Sequence, residues 1–297
     1  MNAILFPGQG SQHLGMGNML FDTVPEFTDL ESEVDTILGY SARDICLNNP
    51  ENKLKKTQYT QPCLYIVNAL NFFSEKSKGL KINYLAGHSL GEYNALLAAG
   101  AFNFITGLTL VKKRGELMSQ AKQGGMAAVI GMKPETICNI LESEGISDVT
   151  LANYNSSSQI VVAGLDQEIQ RASPILEKSG AKLVIPLPVS GAFHSKYMAD
   201  AETEFSQFLS QFEFNELLSP VISNVTGAPY PLGDATNNIR EHLVKQICQP
   251  VKWHQSITYL LKRKINIFHE LGPGDVLTKL VNQITTEYEN APAEDMA

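Results

Sequence analysis

The sequence has no apolar run approaching the ~18–20 residues that a membrane-spanning helix needs, so no transmembrane segment is expected. Its first residues, Met-Asn-Ala-Ile-Leu-Phe-Pro-Gly, have neither a basic n-region nor a cleavage site and do not read as a signal peptide. Ala3 to Phe6 reads instead as a first strand. Cysteine is scarce: Cys46, Cys63, Cys138 and Cys248 stand far apart and form no CxxC pair. They read as buried free thiols of a reducing compartment, which makes the cytoplasm the expected location. Basic residues are few, 23 Lys and Arg against 31 Asp and Glu, for a net charge of −8. That balance argues against nucleic acid as the main partner, because phosphate binding needs a basic surface. It does not exclude a small anionic substrate, which one local arginine can hold. Internal repeats and low-complexity tracts are missing too.

What remains is an ordinary globular composition, 43% hydrophobic and 18% charged over 297 residues, enough for one large core or a core plus a subdomain. Up to about residue 123 the order is strand, loop, helices, strand, sharp turn, helix, helix. Gln61 to Lys78 is helical by period, with Leu64, Val67, Leu70 and Phe73 three apart, and Phe104 to Gln120 is a second periodic helix. The texture then changes. Met126 to Met132 reads as a strand, Pro134 to Glu144 as a helix, and Val149 to Tyr154 and Gln159 to Ala163 as strands joined by a turn. A helix capped by Asp166 runs to Lys178, and Ala181 to Leu187 is a further strand. This β-α-β-β-α-β order is the ferredoxin-like motif, placed at 124–191 as an insertion into a larger α/β domain made of 1–123 and 192–286. His194 is expected to open a helix through Gln211. Later elements are a short strand at Val221 to Asn224, helices at Ile239 to Ile247 and Gln255 to Lys264, a strand at Ile265 to Glu270 and a helix at Val276 to Ile284. Residues 287–297 read as a flexible acidic tail.

Gly87-His88-Ser89-Leu90-Gly91, between an apolar strand and a helical stretch, has the pattern of a nucleophile elbow. The flanking glycines matter because the turn is so sharp that side chains there would meet the neighbouring strand and helix. The turn exposes the Ser89 hydroxyl and sets the Leu90 amide at a helix N-terminus, where an oxyanion could bind. A serine needs a base. Of six histidines, His88 adjoins the nucleophile and points to the opposite face; His13 sits in a loop, and His242 and His254 occupy surface helix positions. His194, in Val189-Ser190-Gly191-Ala192-Phe193-His194-Ser195, lies just after the last subdomain strand and is the best candidate. The only aspartates between Ser89 and His194 are Asp148 and Asp166, both in the insertion, so a Ser-His dyad oriented by a backbone carbonyl is favoured over a triad. Gly8-Gln9-Gly10-Ser11-Gln12, after the first strand, reads as a second oxyanion donor; a phosphate-binding loop is the weaker alternative. Arg114, in Lys112-Lys113-Arg114-Gly115-Glu116, would by itself read as part of a solvated basic face.

Taken in order, Gly8-Gln9-Gly10-Ser11-Gln12, Gly87 to Tyr93, Arg114-Gly115, Gly191-Ala192-Phe193-His194-Ser195, and Gln246 upstream of Pro250-Val251-Lys252-Trp253 resemble the malonyl-CoA:acyl-carrier-protein acyltransferases from residue 1 to about 285. The resemblance implies an α/β-hydrolase-like large domain carrying a ferredoxin-like insertion. It implies Ser89 as nucleophile, His194 as general base and acid, the Gln9 and Leu90 amides as oxyanion hole, and Arg114 as partner of the malonyl carboxylate. It further implies that the Gln246 carbonyl orients His194, and that Gln61, Met118, Asn155 and Phe193 line the acyl pocket. Malonyl-CoA would be the donor and the phosphopantetheine arm of an acyl carrier protein the acceptor, with no metal or organic cofactor, no nucleic acid, no membrane, and a monomer expected.

The version Gly-Ala-Phe-His-Ser looks more like the polyketide branch, in which a freestanding acyltransferase meets its carrier in trans, than like housekeeping fatty acid synthesis. Because carrier proteins are usually acidic, a local basic patch of Lys112, Lys113, Lys182 and Lys196 is expected near the site. The rival activity is an acyl hydrolase that clears stalled chains with the same serine. A simple esterase or a non-catalytic docking module fits less well.

Overall fold

The computed structural model describes residues 1–121 and 124–290. Among them run eight strands: β1 (Asn2–Phe6), β2 (Tyr84–Gly87), β3 (Gly124–Ile130), β4 (Thr150–Tyr154), β5 (Gln159–Leu165), β6 (Leu183–Pro186), β7 (Val221–Ile222) and β8 (Ile267–Glu270). They form two sheets. The first is parallel, in the order β7-β2-β1-β8, and the second is antiparallel, in the order β4-β5-β3-β6.

In the parallel sheet both faces are covered, as such sheets require. Ile4, Phe6 and Leu85 face the helices Thr57–Ser77, Gly91–Ala98 and Phe104–Ser119, whereas Ala3, Leu5 and Ala86 face Trp253, Ile257, Leu277 and Leu280 of the C-terminal helices. The helix Thr57–Ser77 buries Leu64, Val67 and Leu70 at the spacing read from the sequence. It starts four residues earlier than expected.

The antiparallel sheet carries two apolar faces at period two. Ala127, Val129, Ile160 and Val162 pack on the helices Pro134–Ser143 and Asp166–Lys178, and the alternate residues Met126, Ala128, Val161 and Ala163 pack toward the large domain. The strand order is that of a β-α-β-β-α-β ferredoxin-like unit. The fold is therefore α/β, with an α/β-hydrolase-like parallel sheet and a ferredoxin-like antiparallel one.

Four local expectations need correction. Leu165, not Asp166, holds the cap position, and Asp166 is the first helical residue, where its charge faces the helix N-terminus. His194 does not open a helix: a single 3-10 turn, Lys196–Met198, separates it from the helix Ala199–Leu209. The last helix runs Val276–Glu289, so residues 287–289 are helical, and 291–297 lie outside the described residues. Of the cysteines, Cys46 and Cys63 are buried and free, but Cys138 is exposed and Cys248 half-buried.

The turn after β2 is built on absent side chains. A Cβ on Gly87 would lie 1.9 Å from the Gly91 carbonyl carbon, and one on Gly91 would lie 1.9 Å from the Phe6 carbonyl oxygen. Both obstacles are backbone, which cannot swing aside. Gly91→Ala is therefore expected to destabilise the protein by about 3 kcal/mol or more, read from the urea midpoint. An unchanged midpoint would show that the turn is not wedged against β1.

Candidate active site

Ligands of open parallel sheets bind beyond the carboxyl ends of the strands, and here the two central strands end side by side. The register pairs Phe6 of β1 with Gly87 of β2. Three residues beyond each lie Gln9 and Leu90, so register alone brings the two expected oxyanion amides to one rim. Neither N–H has an acceptor among the described residues.

Ser89 sits at the apex of the turn with φ +50°, a left-handed conformation that costs a non-glycine residue about 1–3 kcal/mol. Asn224, just beyond β7, holds it there. Its Oδ1 accepts from the Ser89 N–H at 2.7 Å, and its Nδ2 donates to the Gly87 carbonyl at 2.7 Å.

His194 arrives from the loop after β6, also at positive φ (+58°), and is buried. Its Nε2 lies 2.9 Å from Ser89 Oγ, and its Nδ1 lies 2.8 Å from the Gln246 carbonyl oxygen. A carbonyl can only accept, so Nδ1 carries the proton and Nε2 is left to accept from the serine hydroxyl. Burial, then the charge of Arg114, pushes the imidazole down from 6.5 to about 3. At neutral pH it is a neutral base. Asp148 pairs instead with Lys196 at 2.7 Å, and among the described residues the partner of Nδ1 is the Gln246 carbonyl, not a carboxylate.

Arg114 is 1% exposed, which overturns its reading as a solvated face. It points from the helix Phe104–Ser119 toward the serine. Its Nη1 donates to Gln61 Oε1 at 2.8 Å, and Nη2 donates to Ser89 Oγ at 3.1 Å and Gln246 Oε1 at 2.9 Å. The Tyr93 ring lies beneath the guanidinium, 5.5 Å from its carbon. Among the described residues, Arg114 Nε and the Tyr93 hydroxyl are buried without a partner at full hydrogen-bond geometry, yet the two lie close enough that each shifts the other's ionisation. Burial pulls the guanidinium below its ordinary pKa, and Tyr93 and Glu92 pull it back up. An arginine nonetheless stays charged.

Ser89, His194 and Arg114 line a cavity of about 250 Å³ between the two sheets. Gln9, Leu90, Gln61, Met118, Asn155 and Phe193 line it too, so every expected site residue except Gln246 reaches its wall. Gln246 stands behind His194, fully buried. His88 is turned away from the nucleophile, with Nε2 at 2.9 Å from Asn155 Oδ1 and its ring against Trp253. The expected basic patch is mostly neutralised: Lys112 pairs with Glu116, Lys113 with Glu204 and Lys196 with Asp148.

Three groups escaped the sequence reading: Asn224, Glu92 and the side chain of Gln246. Glu92 is fully buried, and burial raises its carboxyl to about 7 against the bonds that favour its charge. Its one sequence signal was the run Ala95 to Ala99, which leaves the helix Gly91–Ala98 no polar face to send it to.

The acyl transferase domain family matches residues 4–297. The chain is similar to the polyketide biosynthesis malonyl CoA-acyl carrier protein transacylase BaeC of Bacillus velezensis, at 49% identity over 297 residues, 99% of this chain and 100% of that protein. It is also similar to the crystal structure of malonyl CoA-acyl carrier protein transacylase from Burkholderia pseudomallei, with TM-score 0.91 and 46% identity over 99% of each chain. A complex described as a type II PKS acyl-carrier protein with its malonyl-transacylase matches at TM-score 0.89 and 34% identity, covering 96% of this chain and 93% of that one.

The depressed imidazole gives a pH test. A neutral serine reagent, phenylmethylsulfonyl fluoride, is expected to modify Ser89 at a rate that does not fall between about pH 8 and 5.5, because neutral His194 is the populated form throughout. A rate falling with an apparent pKa near the ordinary 6.5 would mean that His194 is not desolvated in this way.

Proposed function

The chain belongs to the acyl transferase domain family, and from that premise we propose that it moves a malonyl group from malonyl-CoA to the phosphopantetheine thiol of an acyl carrier protein. The observation that carries this reading is a buried cation within hydrogen-bond distance of the nucleophile: Arg114 Nη2 at 3.1 Å from Ser89 Oγ. An acyl group on that oxygen brings whatever ends its second carbon next to a guanidinium. A free carboxylate is the group that benefits, through a paired, charge-assisted contact.

In the first half-reaction His194 Nε2 takes the Ser89 proton as Oγ attacks the thioester carbonyl carbon. The Gln9 and Leu90 amides receive the negative charge that develops on the carbonyl oxygen, and losing one such donor costs roughly 3–4 kcal/mol of barrier. The C–S bond then breaks, and the coenzyme A sulfur leaves with the proton from His194. In the second half-reaction the phosphopantetheine thiol gives its proton to Nε2 and attacks the malonyl ester. Collapse returns that proton to Ser89 Oγ. Burying His194 suits both directions, since a neutral imidazole is needed at the start of each.

Phe193 closes the pocket beside His194. A Cβ on Gly191 would lie 3.0 Å from the Phe193 ring, so glycine there lets the ring sit close against the backbone. A ring in that place would crowd a 2-methyl branch, which favours malonyl over methylmalonyl. A hydrolase serving varied acyl chains gains nothing from a fixed buried cation, so that alternative is not favoured. BaeC is described as a polyketide enzyme, and its 49% identity supports the polyketide branch for this chain. The reacting groups all come from one chain, so a monomer suffices.

Intact-mass spectrometry after brief incubation with malonyl-CoA, acetyl-CoA and methylmalonyl-CoA tests the reading. A malonyl adduct is expected on the wild type, transferable to a carrier protein and lost in Ser89→Ala. Arg114→Ala is expected to slow malonylation by about 10²–10³-fold while slowing acetylation less. Rapid release of several free acids with no lasting adduct would instead indicate a hydrolase.

A further inference from the structure

Gln246 meets four groups of the site. Its backbone carbonyl accepts from His194 Nδ1, its Oε1 accepts from Arg114 Nη2, and its Nε2 donates to the Ser89 carbonyl at 3.0 Å and to Glu92 Oε2. An amide presents a donor at one end and an acceptor at the other, and flipping it exchanges them. The orientation that serves Arg114 is the one with Oε1 toward the guanidinium. Something must therefore hold Nε2 on the far side.

Glu92 is built to do so. Its Oε1 is occupied by two donors, the Tyr230 hydroxyl at 2.7 Å and the Asn224 N–H at 3.2 Å, which leaves Oε2 to receive Gln246. Among the described residues no salt bridge joins Glu92 to Arg114; the two attract through space, and the hydrogen-bonded link between them is the Gln246 amide. We propose that Glu92 is a positioning residue: its carboxylate fixes the Gln246 amide and, through it, holds Arg114 in the orientation that receives the malonyl carboxylate. This rests on the malonyl reading of Arg114 given above.

The neutral isostere cannot do the same work. In Glu92→Gln, Tyr230 and Asn224 would keep an oxygen at the first position, so the new NH₂ would face Gln246 Nε2, donor against donor. If the Gln246 amide flipped in response, its Nε2 would face Arg114 and its Oε1 the Ser89 carbonyl. Either arrangement leaves a buried polar group without a partner. A residue that only stabilised the elbow would affect all acyl groups alike. A residue that positions Arg114 affects the one acyl group with a carboxylate.

The readout is the ratio of Ser89 acylation rates with malonyl-CoA and acetyl-CoA, which cancels His194 and the oxyanion hole because both substrates use them. Glu92→Gln is expected to lower that ratio roughly tenfold or more, with the acetyl rate held within about threefold. Gln246→Met, which keeps the backbone carbonyl but removes the amide, is expected to lower it similarly, and the double variant no further. Loss of both rates in parallel, an unchanged ratio, or additive effects would overturn the proposal.

If Glu92→Gln does not fold, the wild type serves. The groups around Glu92 are Tyr230, Tyr93 and Arg114, with the His242 ring tilted against Tyr230. Protonation puts a donor on a carboxyl that must accept, so the ratio is expected to fall as pH drops through about 7, equally in wild type and His242→Gln. A ratio flat with pH, or a fall abolished by His242→Gln, would overturn the proposal. If the wild type itself shows no preference for malonyl, the assignment of Arg114 fails, and not merely that of Glu92.

Discussion

A guanidinium that is 1% exposed has to find acceptors and compensating charge within its own shell, because unpaired burial of a cation costs several kcal/mol. Around Arg114 the shell is assembled from distant parts of the chain: Gln61 from a helix before β2, Ser89 from the elbow, Gln246 from a helix near the C-terminus, and Tyr93 beneath. Each is held in turn by something else. Gln61 also reaches Met118, and Gln246 is tied to Glu92 and to the Ser89 carbonyl. Ser89, His194 and Arg114, the proposed nucleophile, base and specificity cation, thus share one buried polar network, and Gln246 touches every arm of it.

Catalytic geometry is imposed on that network by the parallel sheet. Adjacent strands in register carry Gln9 and Leu90 to equal depth, and the close packing of Gly87 on the start of the next helix and of Gly91 on β1 goes with the left-handed turn at Ser89. His194 is the second catalytic candidate held at positive φ, and it stands where the chain returns from the inserted sheet. Strain at both positions is stable only because the surroundings over-determine it: Asn224 clamps the Ser89 amide, and the Gln246 carbonyl receives the imidazole. Electrostatics then follow from burial. The imidazole stays neutral because it is dry and beside a cation, so the proposed base is ready without a carboxylate as third partner.

Much of this was legible from residue order. The elbow, the two-sheet organisation and the histidine after the insertion could be read because each rests on local signals: glycines at fixed offsets, period-two and period-three apolar spacing, a strand followed by a turn. Arg114 was not legible by itself, since Lys112-Lys113-Arg114 looks like a solvated face and only the tertiary fold shows that the third residue of the run points inward. Glu92 and Asn224 were missed for the same reason. Their partners lie more than a hundred residues away, and an acidic residue in a first helical turn has an ordinary explanation in the helix dipole. The pairing of Lys113 with Glu204 and of Lys196 with Asp148 was not legible either, because those partners lie far along the chain.

The most direct measurement is a crystal structure of the enzyme trapped with malonyl on Ser89. Arg114 is expected to have exchanged its bond with Ser89 Oγ for the malonyl carboxylate, with the Gln246 amide still bridging to Glu92 and the ester carbonyl oxygen at the Gln9 and Leu90 amides. A malonyl carboxylate turned away from Arg114, toward solvent or another cation, would contradict the assignment of the buried guanidinium as the group that selects the substrate.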